Sequence, residues 1–128
     1  MVNATQIAAE NYVIERAKQK PDIAEVVDMR GSGEGYDLMF VYKDGHREKI
    51  EVKGNSEDRG IPDMRTSEFK DKRLKADFLY LVAFSLQPRK KVYKIPACEI
   101  KPENLRELRT YRVRGFGMRN RSRFASSF

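Results

Sequence analysis

The stretch "YDLMFVYKDGHREKIEVKG", residues 36–54, constrains the fold more than any other part of the chain. Two runs of alternating apolar residues flank an Asp-Gly pair, which is a hairpin signal. Alternation places Ile50 and Val52 on one face of the second strand and Lys49, Glu51 and Lys53 on the other. A two-residue Asp44-Gly45 loop would pair Lys43 with His46 and turn Asp37 away from Glu51. A three-residue loop, with Gly45 in the left-handed position of a bulge turn, would pair Tyr42 with His46. Asp37 would then lie directly opposite Glu51. The sequence permits both loops; only the second brings two carboxyls together.

Around this hairpin the pattern describes a mixed α/β or α+β domain. "ATQIAAENYVIERAKQK" predicts a helix with Ile7, Val13, Ile14 and Ala17 as its buried stripe, stopped at Pro21. "IAEVVDM" predicts a short strand, broken by Gly31, Gly33 and Gly35. A charged loop leads to a short helix opening at Thr66 or Ser67. "ADFLYLVAF" is apolar enough for a strand buried on both faces, "KKVYKI" is the next strand, and "PENLREL" predicts a short helix with Pro102 in its first turn.

A chain of 128 residues is expected to form one core domain, residues 1–105, followed by an extension over 106–128. The extension holds seven arginines against Glu107 alone, and so carries +6 of the net charge of +7. Arg106, Arg109, Arg112, Arg114, Arg119, Arg121 and Arg123 alternate there with Tyr111, Phe116, Phe124 and Phe128, the composition of an arm that contacts nucleic acid. No apolar run approaches the length of a membrane span, and Cys98 stands alone; a cytoplasmic location fits a single unpaired thiol. His46 reads as a turn residue and Cys98 as a small core or surface residue.

The hairpin carries the chemistry. At ~4 Å and an effective dielectric near 20, two carboxylates repel by about 4 kcal/mol, so they need a proton, a lysine or a divalent cation. Oxygen donors with open water positions suit Mg²⁺ or Mn²⁺, which polarise phosphodiesters and activate water. Lys53 would project from the same face to position that water. These residues resemble the PD-(D/E)XK nuclease superfamily, with Asp37 as the motif aspartate and Glu51-x-Lys53 as its second half. "GYDLMFVYKDGHREKIEVKG", then "TSEF", then "DFLYLVAF" is similar to the NO VEIN C-terminal type of nuclease-like domain, over roughly residues 8–97.

The resemblance implies a restriction-endonuclease-like mixed sheet of about four to five strands flanked by helices. It also implies a Glu on the first helix completing the acidic cluster, Glu15 by position with Glu10 as its rival. The expected function is Mg²⁺- or Mn²⁺-dependent hydrolysis of phosphodiester bonds, most readily in DNA. The alternatives are an inactive nucleic-acid-binding module of the same fold and a structure-specific endonuclease similar to Holliday-junction resolvases. The partners expected are DNA, no membrane, and either a second copy of the chain or a larger helicase- or restriction-type protein.

Overall fold

The computed structural model describes residues 3–107 and 110–128. Helix α1 (Ala4–Lys18) is capped by the Asn3 side chain, which accepts from the Gln6 amide, and ends before Pro21. Strands β1 (Ile23–Asp28), β2 (Leu38–Tyr42) and β3 (Arg47–Gly54) form an antiparallel meander. A long crossover then carries the small hairpin of β4 (Phe69–Lys70) and β5 (Arg73–Leu74). Strand β6 (Phe78–Ala83) returns parallel to β3, and β7 (Lys91–Pro96) runs antiparallel beside it. Strands β8 (Leu105–Glu107) and β9 (Tyr111–Val113) form a second small hairpin. After the single-turn helix α2 (Met118–Arg121), strand β10 (Ala125–Ser126) joins the main sheet, whose order is β1-β2-β3-β6-β7-β10. The fold is α+β around one six-stranded mixed sheet, one strand beyond the number expected because β10 adds an edge.

The hairpin takes the three-residue loop. Tyr42 N donates to His46 O at 2.9 Å, Gly45 N donates to Tyr42 O at 2.9 Å, and Gly45 has φ +94°. Leu38 therefore pairs with Ile50. His46 is indeed a turn residue, stacked on Tyr42.

Strand alternation makes two apolar layers. On one face Leu38, Phe40, Ile50, Val52, Tyr80 and Val82 pack against Ala9, Val13 and Ala17 of α1. The helix stripe is thus Ala9-Val13-Ala17, at steps of four; Ile7 is exposed and Ile14 only packs at the margin. Small residues let α1 sit tightly on the sheet, and a Cβ at Gly54 would lie 2.7 Å from both Ala9 Cβ and Thr5 O. On the other face Leu79, Leu81, Ala83, Tyr93 and Ile95 are covered by the crossover and by Tyr111, Val113 and Phe116. Strand β6 is buried on both faces, as its unbroken apolar run predicts.

Two expected helices are instead single 3₁₀ turns, Thr66–Glu68 and Pro102–Asn104, each followed at once by a strand. Their apolar residues serve opposite needs: Phe69 and Leu74 face inward across a hairpin, which a helix could not provide.

The expected C-terminal extension is corrected too. Residues 110–128 belong to the core, because their aromatic residues fill both layers. Phe128 packs edge-on against Tyr80 at 4.8 Å, and Arg16 Nε donates to its main-chain oxygen at 2.6 Å. Arg121 is buried, donating to Phe116 O at 2.8 Å and to the Asp58 carboxylate at 3.0 Å. Tyr93 also donates to Asp58, at 2.7 Å. Losing one member of such a buried pair costs about 3–5 kcal/mol. No helix among the described residues is long and apolar enough to cross a membrane.

Two measurements check this packing. Phe128→Ala is expected to lower stability by about 2–4 kcal/mol in urea titrations, with the far-ultraviolet circular dichroism of the native state unchanged. Deleting residues 111–128 is expected to abolish the cooperative melt, and a truncated chain that melts like the full one would refute the arrangement.

Candidate functional site

Beyond Asp37 the β2 strand stops pairing with β3, so the second half of β3 has an open edge on that side. Two side chains take over the missing ladder. Asp37 Oδ2 accepts from Val52 N at 2.9 Å, and the Gln6 amide accepts from Gly54 N at 2.9 Å while donating to Val52 O at 2.6 Å. The edge opens into a cleft of about 490 Å³ walled by Asp37, Glu51, Glu68, Arg65, Glu10 and the glycine-rich loop after β1. Gly35 in that loop has φ +90°, and a Cβ there would lie 2.6 Å from Lys75 Cδ and 2.7 Å from Ser67 O. Only glycine closes the loop onto the crossover at this point.

Asp37 and Glu51 come together on the sheet face that points away from α1. Glu51 is 2 % exposed. Burial first, then a hydrogen bond to Asp37 and the charges of Asp37 and Glu68, push its carboxyl from the ordinary 4.5 up to about 11, against the attraction of Lys53. At neutral pH Glu51 therefore holds its proton in the absence of a cation. Lys53 Nζ donates to Glu68 Oε1 at 2.8 Å, with both side chains largely shielded from solvent. Glu68 Oε2 in turn accepts from Arg65 N at 3.0 Å, which pins the 3₁₀ turn.

Asp37, Glu51 and Lys53 thus converge, whereas Glu15 does not. It lies about 200° round the helix from Val13 and is exposed. Glu10 is the glutamate that reaches the cleft, held by Gln6 Nε2 at 2.9 Å and by Arg30 at 3.0 Å. Arg30 also grips Asp28 at 2.6 Å, which holds that carboxyl down at about 2.

Gln6 is the site residue that sequence reading missed, whereas Glu68 reads first as a charge at a helix start and second as a residue beside the metal or phosphate. "TSEF" marks the position of Glu68, but its spacing suggests a helix start rather than a partner for Lys53. Of the seven arginines expected to bind nucleic acid, Arg121 is buried in the fold. Arg112 pairs with Asp63 at 3.4 Å and Arg123 with Glu99 at 4.0 Å. Arg106, Arg114 and Arg119 are exposed, and Arg109 lies outside the described residues.

The donors in the cleft are all oxygens, a set suited to a hard divalent cation that keeps several waters. Among the described residues no group of three or more His, Cys, Asp or Glu is gathered as a metal-ligand cluster. Asp37 and Glu51 are the adjacent carboxyls that could hold such an ion.

A sequence model of the family described as "Protein NO VEIN, C-terminal" matches residues 6–95. The chain belongs to this family. The match runs from Gln6, which bridges the open edge of β3, to Ile95 in β7, so it contains every residue of the cleft. In this NO VEIN C-terminal domain, β8 to β10 lie beyond the matched region and complete both core layers. No curated protein and no solved structure matches the chain.

The raised Glu51 pKa predicts how stability depends on pH. In the unfolded chain Glu51 ionises above about 4.5, whereas in the folded, metal-free domain it stays protonated to about 11. Its contribution is full below pH 4.5 and is lost progressively as pH rises toward 11. Glu51→Gln removes this dependence. In chelator, the stability of the variant relative to wild type is expected to rise between pH 5 and 9, by up to about 1.4 kcal/mol per pH unit. A constant difference between the two across that range would show that Glu51 ionises normally.

Proposed function

We propose that the domain is a metal-dependent nuclease of the PD-(D/E)XK type, acting on DNA. The observation that carries this reading is the convergence of Asp37, Glu51 and Lys53 on one sheet face beside an open cleft. Burial and the neighbouring Asp37 and Glu68 charges raise the Glu51 pKa, a cost that a divalent cation would relieve. Mg²⁺ or Mn²⁺ held by Asp37 and Glu51 would polarise the phosphodiester and favour ionisation of the attacking water. Asp37 is oriented by Val52 N through Oδ2, and an ion that displaces the Glu51 proton would take the carboxyl oxygens this releases. Lys53, held by Glu68, directs an ammonium toward the charge that develops on the phosphoryl oxygens. Glu68 is then a positioning residue, acting through Lys53.

A second reading is favoured by the same ion pair. With its charge offset by Glu68, Lys53 also fits a domain that binds nucleic acid without cutting it.

Cleavage of linear, flapped and branched DNA with Mg²⁺ or Mn²⁺, against a chelator control, separates the two. Glu51→Gln is expected to abolish cutting while the fold persists. Lys53→Met is expected to lower kcat by about 100-fold or more with little change in KM. Glu68→Gln should lower kcat less, and should move the pH profile because Glu51 loses the neighbouring Glu68 charge that raises its pKa. Equal cutting by Glu51→Gln and wild type would end the nuclease reading; a Lys53→Met loss confined to KM would make that lysine a phosphate contact only.

A further inference from the structure

We infer that the β4–β5 hairpin and the groove beneath it form the duplex-binding surface of the domain, gripping the phosphate backbone and leading it to the cleft. This inference rests on the nuclease reading for its substrate, and on separate observations for its place.

Beside the cleft lies a groove of about 730 Å³, walled by Lys49, Lys70, Arg73 and Lys75 and sharing Tyr36 and Gly33 with the cleft itself. The two lie side by side across Tyr36 and Gly33. Glu34 and Asp71 are the acids on its wall, so the cations outnumber them two to one. Lys72 at the hairpin tip adds a further exposed cation. Among the described residues, none of Lys49, Lys70, Lys72, Arg73 and Lys75 enters an ion pair. Lys49 Nζ instead sits over the Tyr36 ring at 5.7 Å.

The hairpin carries two unfavourable features, the first of which a polyanion would offset. Lys70 and Arg73 are direct cross-strand partners, and like charges placed so are destabilising. The turn joining them is Asp71-Lys72, with φ +51° and +61°, a conformation that normally takes glycine or asparagine. Phe69 and Leu74 are buried beneath and hold the hairpin in place. The C-terminal arginines are a weaker rival, since Arg121 is buried and Arg112 and Arg123 already have carboxylate partners.

The test is binding of the full chain to a fluorescein-labelled DNA duplex in EDTA, where no metal-dependent cutting occurs, as a function of salt. The triple variant K70Q/K72N/R73Q keeps a residue at the tip that tolerates positive φ. It is expected to weaken binding about tenfold or more at 0.1 M salt and to reduce the log–log salt slope by about 2–3. Its melting temperature should not fall, because the Lys70–Arg73 opposition is relieved. The comparison variant R106Q/R114Q/R119Q should change the slope by less than one. If the triple variant melts lower, R73Q alone carries the test, with a slope change of about 1.

A folded hairpin variant with wild-type affinity and slope would overturn the inference. So would a larger loss in the C-terminal comparison variant, or a wild-type chain that binds anionic phospholipid vesicles through the hairpin but not the duplex. Cleavage reads independently. Hairpin-dependent binding with no cutting of any substrate would leave this surface standing and end the nuclease reading, whereas cutting with hairpin-independent binding would do the reverse.

Discussion

The register of β2 against β3 is the constraint on which the rest of the site depends. Because side chains alternate, a slip of one residue would move Asp37 to the α1 face and leave Glu51 buried beside no partner. The three-residue turn closed by Gly45 prevents that slip. At the far end the β2–β3 ladder stops at Leu38, and the Asp37 carboxyl holds Val52 N in place of a strand. The proton held by Glu51, the exposure of the cleft and the orientation of Lys53 all follow from that local geometry.

Much of this was legible because it is local. The alternation around Asp44-Gly45 narrowed the register to two cases, one of which makes a site. The unbroken apolar run of β6 announced a strand with both faces covered. What could not be read depends on contacts between distant segments. Glu68 meets Lys53 only because the crossover from β3 to β6 folds back over the sheet. The choice between Glu10 and Glu15 turned on which helix face docks, and alanines rather than the larger Ile7 decided it. A stripe of Ala9, Val13 and Ala17 is a weak signal by hydrophobicity, yet it allows the closest approach to Gly54. Thr66–Glu68 and Pro102–Asn104 have good helix-start chemistry, but the strands that follow them are required by the core and leave no room for a second turn.

Charge was the least reliable guide. Counting arginines located a basic segment but could not tell which of them face inward, because an arginine can do so when a carboxylate and a carbonyl receive it. Arg121 does so, and with Asp58 and Tyr93 it fastens the C-terminal segment to the loop after β3. The basic residues of 70–75 make a weaker sequence signal, being fewer and interrupted by Asp71. Their shared exposure and closeness to the cleft come from the fold alone.

The Gln6 bridge has a further consequence for how the chain behaves among copies of itself. Past Asp37, β3 would present a bare backbone edge in the middle of the sheet, the kind of edge that recruits strands from other molecules. Gln6 occupies it with a primary amide that imitates one residue of a neighbouring strand, giving and receiving a hydrogen bond as a backbone would. Docking of α1 therefore acts as a cover on an aggregation-prone seam as well as one wall of the core. Conditions that loosen the helix would expose a template for intermolecular β-pairing right beside Glu51, linking the solubility of the domain to the integrity of its cleft.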